Sequence, residues 1–107
     1  MTTLRQQLTT AVLNITGVSE MIWPDRSDGF SSFIYKNKDF AHFHNDNELD
    51  LRLGKKVIAS KGLIPPEDSE HHPKRSKNSP WIELRFHSKE DVDDIVCLVE
   101  LTVQSIA

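Results

Sequence analysis

Apolar residues recur at helical spacing near both ends of the chain. The first stripe consists of Leu4, Leu8, Val12 and Ile15. It predicts an amphipathic helix that is capped at Thr2 or Thr3 and ended by Gly17. The second stripe follows Ser88 and a group of acidic residues, a combination typical of a helix start. Its members are Val92, Ile95, Val96, Val99, Val103 and Ile106. We therefore expect two long helices, each with one face buried in a core.

Between these helices, short runs of alternating apolar and polar residues predict β-strands. The predicted strands are 21–23, 30–36, a run that carries His42 and His44, 49–53 and 81–87. A short helix at 55–61 and a polar, proline-containing loop at 64–80 precede the last strand. The order predicts a single α+β domain over residues 1–107. It is an antiparallel meander of about four to five strands with two long helices packed on one face and a short third helix.

The stretch 42–51 concentrates most of the candidate chemistry. His42 and His44 are two positions apart on a predicted strand, so their side chains share one face. The register of the hairpin has two solutions. A two-residue turn places both histidines opposite leucines. A three-residue loop places His44 opposite Asp50 and His42 opposite Arg52, and it puts the apolar residues of both strands on the core side. We favour the three-residue loop, because imidazoles buried without polar partners cost free energy.

In that register the open sheet face collects polar side chains from several strands. Those expected to converge there are His42, His44, Asp50, Arg52 and Arg85. The full set of candidate ligand-binding residues is His42, His44, Asp46, Asp50, Arg52, His71, His72, Trp81 and Arg85. Two histidines and one carboxylate suit zinc or non-haem iron, with His42, His44 and Asp50 as the metal ligands. His44 and Asp50 are also compatible with a cross-strand hydrogen-bonded pair that binds nothing.

Composition narrows the functional classes. The net charge of −3 over 107 residues gives no electrostatic footprint for nucleic acid. A single cysteine, Cys97, excludes an internal disulfide and any multi-cysteine zinc site, and we expect it to be buried in the last helix. No apolar run has the length of a membrane span, and the first residues lack the pattern of a signal peptide. A cytoplasmic location is the expectation.

The stretch 42–51 resembles the luciferase-domain family, which is also known as a domain of unknown function. The family pattern is His-x-His-x-Asp-Gly, two residues, then Asp and a hydrophobic residue. The matching positions are His42, His44, Asp46 and Asp50, with looser matches at Gly62, His71 or His72, and Trp81. Asn47 stands in place of the glycine and also tolerates positive φ. The resemblance spans about residues 40–104. The order of elements is also similar to YjbR-like and TfoX N-terminal domains, a likeness of fold alone.

These observations favour a small binding or interaction domain without catalysis. Its partner would be an unknown small ligand or a second copy of the chain, bound at the open sheet face. The alternative is a metal or small-ligand site on the His42–His44–Asp50 hairpin, with a hydrolytic or other metalloenzyme activity. The family resemblance itself implies no chemistry, and no nucleophile turn of the Gly-x-Ser-x-Gly type is present.

Overall fold

A five-stranded antiparallel sheet organises the protein. The structure is a computed structural model that describes residues 2–23, 30–63 and 79–107. Its elements are α1 (Leu4–Leu13), β1 (Val18–Ile22), β2 (Ser31–Tyr35), β3 (Lys38–Asn45), β4 (Glu48–Leu51), α2 (Lys55–Ser60), β5 (Ile82–Arg85) and α3 (Lys89–Ile106). The strands lie in the order β1-β2-β3-β4-β5, so each strand pairs with the next one along the chain. The predicted α+β meander with two long helices and a short third helix is confirmed.

Side-chain caps fix where the long helices begin. The Thr3 hydroxyl accepts a hydrogen bond from the Gln6 amide, and the Gln6 side chain accepts one from the Thr3 amide, which completes a capping box. The Ser88 hydroxyl caps α3 in the same way by accepting from the Asp91 amide. Helix α1 ends at Leu13 rather than continuing to Gly17, and the intervening residues turn the chain into β1.

The hydrophobic core lies between the sheet and the two long helices. The buried residues that the helices contribute are Leu8, Val12, Val92, Ile95, Val99 and Val103. Those from the sheet include Phe33, Phe40, Ala41, Phe43, Leu49, Leu51 and Ile82. Cys97 is exposed, which contradicts the expectation that it is buried. Cys97 lies two positions after Ile95 and two positions before Val99, which are both buried. The helical repeat therefore places it on the side of α3 that faces away from the core.

A β-bulge near the start of β3 determines which side chains reach each sheet face. Ile34 pairs with Asp39 while the residue before Ile34 pairs with Ala41, so Phe40 is an extra residue in β3. Phe40 and Ala41 are consequently both buried in the core. Asp39 and His42, three positions apart, lie together on the opposite face, which we call the open face. Strict alternation would have placed them on opposite faces.

The β3–β4 hairpin differs from both predicted registers. Its turn consists of two residues, 46–47, rather than the favoured three-residue loop. A second bulge at His44 then shifts the register, so that His42 lies opposite Asp50. The predicted pairings of His44 with Asp50 and of His42 with Arg52 are therefore wrong, because sequence alternation alone does not reveal a bulge. The predicted sorting of apolar residues onto the core face is nevertheless correct, since the bulge has the same effect as a longer loop.

Some of the predicted elements fall outside the part of the chain that the structure describes. The predicted loop at 64–80, with His71 and His72, lies outside the described residues except for its last two positions.

Strand β1 begins at Val18, three residues before the predicted start. Among the described helices, none combines the length and the apolar character needed to cross a bilayer.

Gly17 offers a test of this packing. It adopts a φ of 88°, and a Cβ at this position would lie 2.9 Å from the ring of Tyr35. We expect Gly17→Ala to lower the free energy of unfolding by about 2 kcal/mol, because it adds a clash to an unfavourable backbone conformation. Urea denaturation measures the difference.

Gly62 provides the matched control. Its φ is 63°, and no atom of the described residues lies within 4 Å of the position of its Cβ. Gly62→Ala should therefore cost only the backbone term, about 1 kcal/mol. Equal losses for the two variants would contradict the role assigned to the Tyr35 contact.

Candidate functional site

Three side chains of metal-ligand type meet on the open face. The Nε2 atom of His42 lies 3.4 Å from Oδ2 of Asp50, and Nε2 of His44 lies 3.8 Å from the same oxygen. The possible ligand atoms of the three residues, one from each, all lie within 4.8 Å of one another. Around a tetrahedral zinc ion, neighbouring ligand atoms are about 3.3 Å apart. The cluster, which we call the His–His–Asp cluster, therefore has dimensions that fit a single metal ion.

The cluster is nearly closed to solvent. The side chains of His42 and His44 are 18% and 10% exposed, and that of Asp50 is fully buried. A buried carboxylate requires a strong polar or cationic partner, because removing its charge from water is costly. Both imidazoles approach the same oxygen of Asp50, which makes this carboxylate the centre of the cluster.

Asp39 holds the other side of the His42 ring. Its Oδ1 lies 3.3 Å from Nδ1 of His42, so the two ring nitrogens face two different carboxylates. This contact exists because the bulge at Phe40 turns Asp39 to the open face. In metal sites, a carboxylate on the second ring nitrogen orients a ligating histidine and fixes its tautomer.

Aromatic rings fix the plane of the His42 imidazole. Trp81 stacks with it at a centroid distance of 4.7 Å, and Phe30 does so at 5.3 Å. Phe30 also contacts His44 and Trp23. These rings reduce the access of water to His42 and restrict its rotation, so the imidazole is held in place before any ligand binds.

The electrostatic surroundings raise the pKa of His42 above its ordinary value of 6.5. Burial alone would lower this pKa, because it disfavours the charged ring. The hydrogen bond to Asp50 and the negative charges of Asp39 and Asp50 together outweigh burial. Metal binding at Nε2 therefore competes with a proton that the carboxylates help to retain.

The other predicted site residues make contacts of their own. Asp46 is exposed in the hairpin turn, where Nη1 of Arg5 lies 3.4 Å from its Oδ1. Nε of Arg85 lies 3.4 Å from Oε1 of Glu48. Arg52 is exposed and lines a separate cleft. Trp81 contacts the cluster through its stacking on His42.

Sequence reasoning missed three neighbours of the cluster. Asp39 was hidden by the bulge, and Phe30 was treated only as the start of a strand. Glu83 is buried, at 3% exposure, directly opposite Asp50 on the next strand. The clean alternation of β5 is a signal that could have suggested this position, because it predicts a carboxylate on the face that carries the histidines.

The fold and the site together define a small α+β domain with a His–His–carboxylate cluster on the open sheet face. The model of the luciferase domain matches residues 37–102, which is more than half of the chain, and the protein belongs to this family. The match confirms the family resemblance seen around the hairpin. No curated protein and no solved structure matches the chain.

The raised pKa of His42 predicts a specific pH dependence in metal-free protein. The protonated ring stabilises the fold fully below pH 6.5, and this contribution is lost as pH rises through the higher pKa of the folded state. We expect the parent to lose stability relative to His42→Gln as pH rises from 6.5 through the raised pKa of the folded state. Urea denaturation in the presence of a chelator measures this.

His87→Gln is the control, because His87 is an exposed histidine just beyond β5. The free energy of unfolding of His87→Gln should change with pH in the same way as that of the parent. A constant difference between the parent and His42→Gln at all pH values would contradict the assigned role of Asp39 and Asp50.

Proposed function

We propose that the protein is a binding domain whose open face holds one divalent transition metal ion, zinc or iron(II). The ligands are Nε2 of His42, Nε2 of His44 and Oδ2 of Asp50. The observation that carries this proposal is the convergence of both imidazoles on one buried carboxylate oxygen, at 3.4 and 3.8 Å. A simple hydrogen-bonded pair needs one histidine, whereas a metal site uses both.

The surroundings of the cluster support a cation. Asp39 contacts the Nδ1 atom of His42, and Glu83 is buried on β5 opposite Asp50. Carboxylates that lie close together in a buried place favour a positive charge between or beside them. A divalent ion bound by both imidazoles would add such a charge to those that the surrounding side chains already supply.

Two histidines and one carboxylate leave coordination positions open for water or another ligand. With zinc, such a site polarises a bound oxygen and lowers the pKa of bound water, which is the chemistry of hydrolysis. With iron(II), the same ligand set suits oxygen chemistry. We propose binding of the metal alone. Either activity would also require a substrate to reach the open coordination positions of the metal ion.

A homodimer formed through the open face stays a prediction from the sequence. The ligand atoms of the His–His–Asp cluster come from neighbouring strands of a single chain and are almost fully covered within it. This favours a ligand held inside one protomer over an interface that needs a second copy.

Thermal unfolding with added metal tests the proposal. A metal present at 100 times its dissociation constant, and bound only by the folded state, adds about 2.7 kcal/mol of stability. For a domain of this size, that raises Tm by about 10 °C. We expect this increase for the parent with zinc or iron(II), and its loss in both His42→Ala and His44→Ala.

Two sets of controls sharpen the thermal measurement. His87→Ala should keep the full increase, because it removes an exposed histidine outside the cluster. His71→Ala and His72→Ala test whether the adjacent histidines take part, as expected from the sequence. The proposal fails if no metal raises the Tm of the parent, or if His42→Ala and His44→Ala leave the increase intact.

The contact between Asp39 and His42 makes a second prediction. Asp39→Asn keeps the size of the side chain but removes the charge that orients the ring. We expect metal affinity to fall by about tenfold or more, as is usual for carboxylates that support a metal-bound histidine. Titration of zinc against a competing chelator measures the affinity.

Asp94→Asn is the matched control, because Asp94 is exposed on α3 and the substitution changes the net charge equally. Its zinc affinity should equal that of the parent. If Asp39→Asn and Asp94→Asn behave alike, Asp39 does not support the site.

A further inference from the structure

A second concave site lies at the end of the sheet where β3 begins and β4 ends. It is a cleft of about 290 Å³, near the lower limit for pockets that bind small molecules. Lys38 and Arg52 line it as cations, and Asp39 is the acid among the described residues that line it. The walls include the apolar side chains of Pro80 and Ile106.

The two cations stand on chain segments that are tied together. Lys38 is the first residue of β3, and Arg52 follows directly after β4. The Arg52 amide donates to the Phe40 carbonyl at 2.9 Å, and the Gly54 amide donates to the Pro80 carbonyl at 2.9 Å. These backbone bonds hold together the segments that carry the two cations.

The charges in the cleft are distributed unevenly. Lys38 and Arg52 are exposed and lie beside the cleft. Asp39 directs its Oδ1 to His42. The charged side chains that line the cleft, among the residues that the structure describes, are therefore two cations and one carboxylate that already contacts a histidine.

We propose that this cleft binds a small organic anion. Its carboxylate or phosphate group lies between Lys38 and Arg52, where charge-assisted hydrogen bonds are strongest. Its apolar part packs against Pro80 and Ile106. This proposal does not depend on metal binding, because none of the metal ligands lines the cleft. Asp39 belongs to both places, since it lines the cleft and also contacts His42.

Calorimetric titration of metal-free protein with three probes of similar shape tests this proposal. Benzoate carries a carboxylate, phenyl phosphate carries a phosphate, and benzamide carries neither charge. We expect saturable binding of at least one anion with a Kd of about 1 mM, and no binding of benzamide. The tighter of the two anions identifies the acid group that the cleft prefers.

Substitutions locate the binding. Arg52→Met and Lys38→Met should each weaken binding of the preferred anion about tenfold, the usual effect of removing one charged hydrogen-bond partner. Lys89→Met changes the net charge equally on a remote, exposed site and should leave the affinity unchanged. Asp39→Asn should strengthen binding about threefold, because it removes the negative charge from the cleft. Circular dichroism verifies that each variant is folded.

The opposite results would overturn the proposal. The last turn of α3 also forms part of the cleft, and the carbonyl end of a helix attracts cations. If Lys38 and Arg52 serve only to balance that end, neither anion binds saturably. Equal binding of benzamide, or an equal loss in Lys89→Met, would likewise exclude an anion site at this position. All of these outcomes leave the metal proposal untouched.

Discussion

The extra residue at Phe40 is the feature on which the rest of the structure depends. A regular β3 would alternate its side chains, and burying both Phe40 and Ala41 in one core would be impossible. The bulge allows both to be buried and turns Asp39 toward His42. One local irregularity thus serves the core and the site at once. Bulges are common next to functional sites for this reason, because they redirect a side chain without ending the strand.

The open face carries polar side chains, and some of them are shielded from water. A sheet with helices on one side normally exposes polar residues on the other. Here Asp50 and Glu83 are buried on that side, and aromatic rings stack against His42. A buried carboxylate needs cations or hydrogen-bond donors beside it. Asp50 has both imidazoles next to it, and the raised pKa of His42 that results is a common feature of functional sites.

Much of the fold could be predicted from the sequence, because it depends on periodic patterns. The stripe from Val92 to Val103 and the alternation of β5 each specified one buried face. The register of β3 could not be predicted, since a bulge leaves no trace in alternation and is chosen by tertiary packing. The proximity of His42, His44 and Asp50 was anticipated from their spacing along the hairpin. The contact between Asp39 and His42 was not anticipated, because it depends on the bulge. The exposure of Cys97 could have been deduced from its position between stripe residues.

The most direct test of the account is the nuclear magnetic resonance spectrum of the imidazole nitrogens before and after one equivalent of zinc. Metal binding at Nε2 changes the chemical shift of that nitrogen and fixes the proton on Nδ1. The account predicts these changes for His42 and His44 together, with His87 unaffected. It is contradicted if one equivalent of zinc leaves the nitrogens of His42 and His44 unchanged, since the cluster would then be a hydrogen-bonded group that binds no metal.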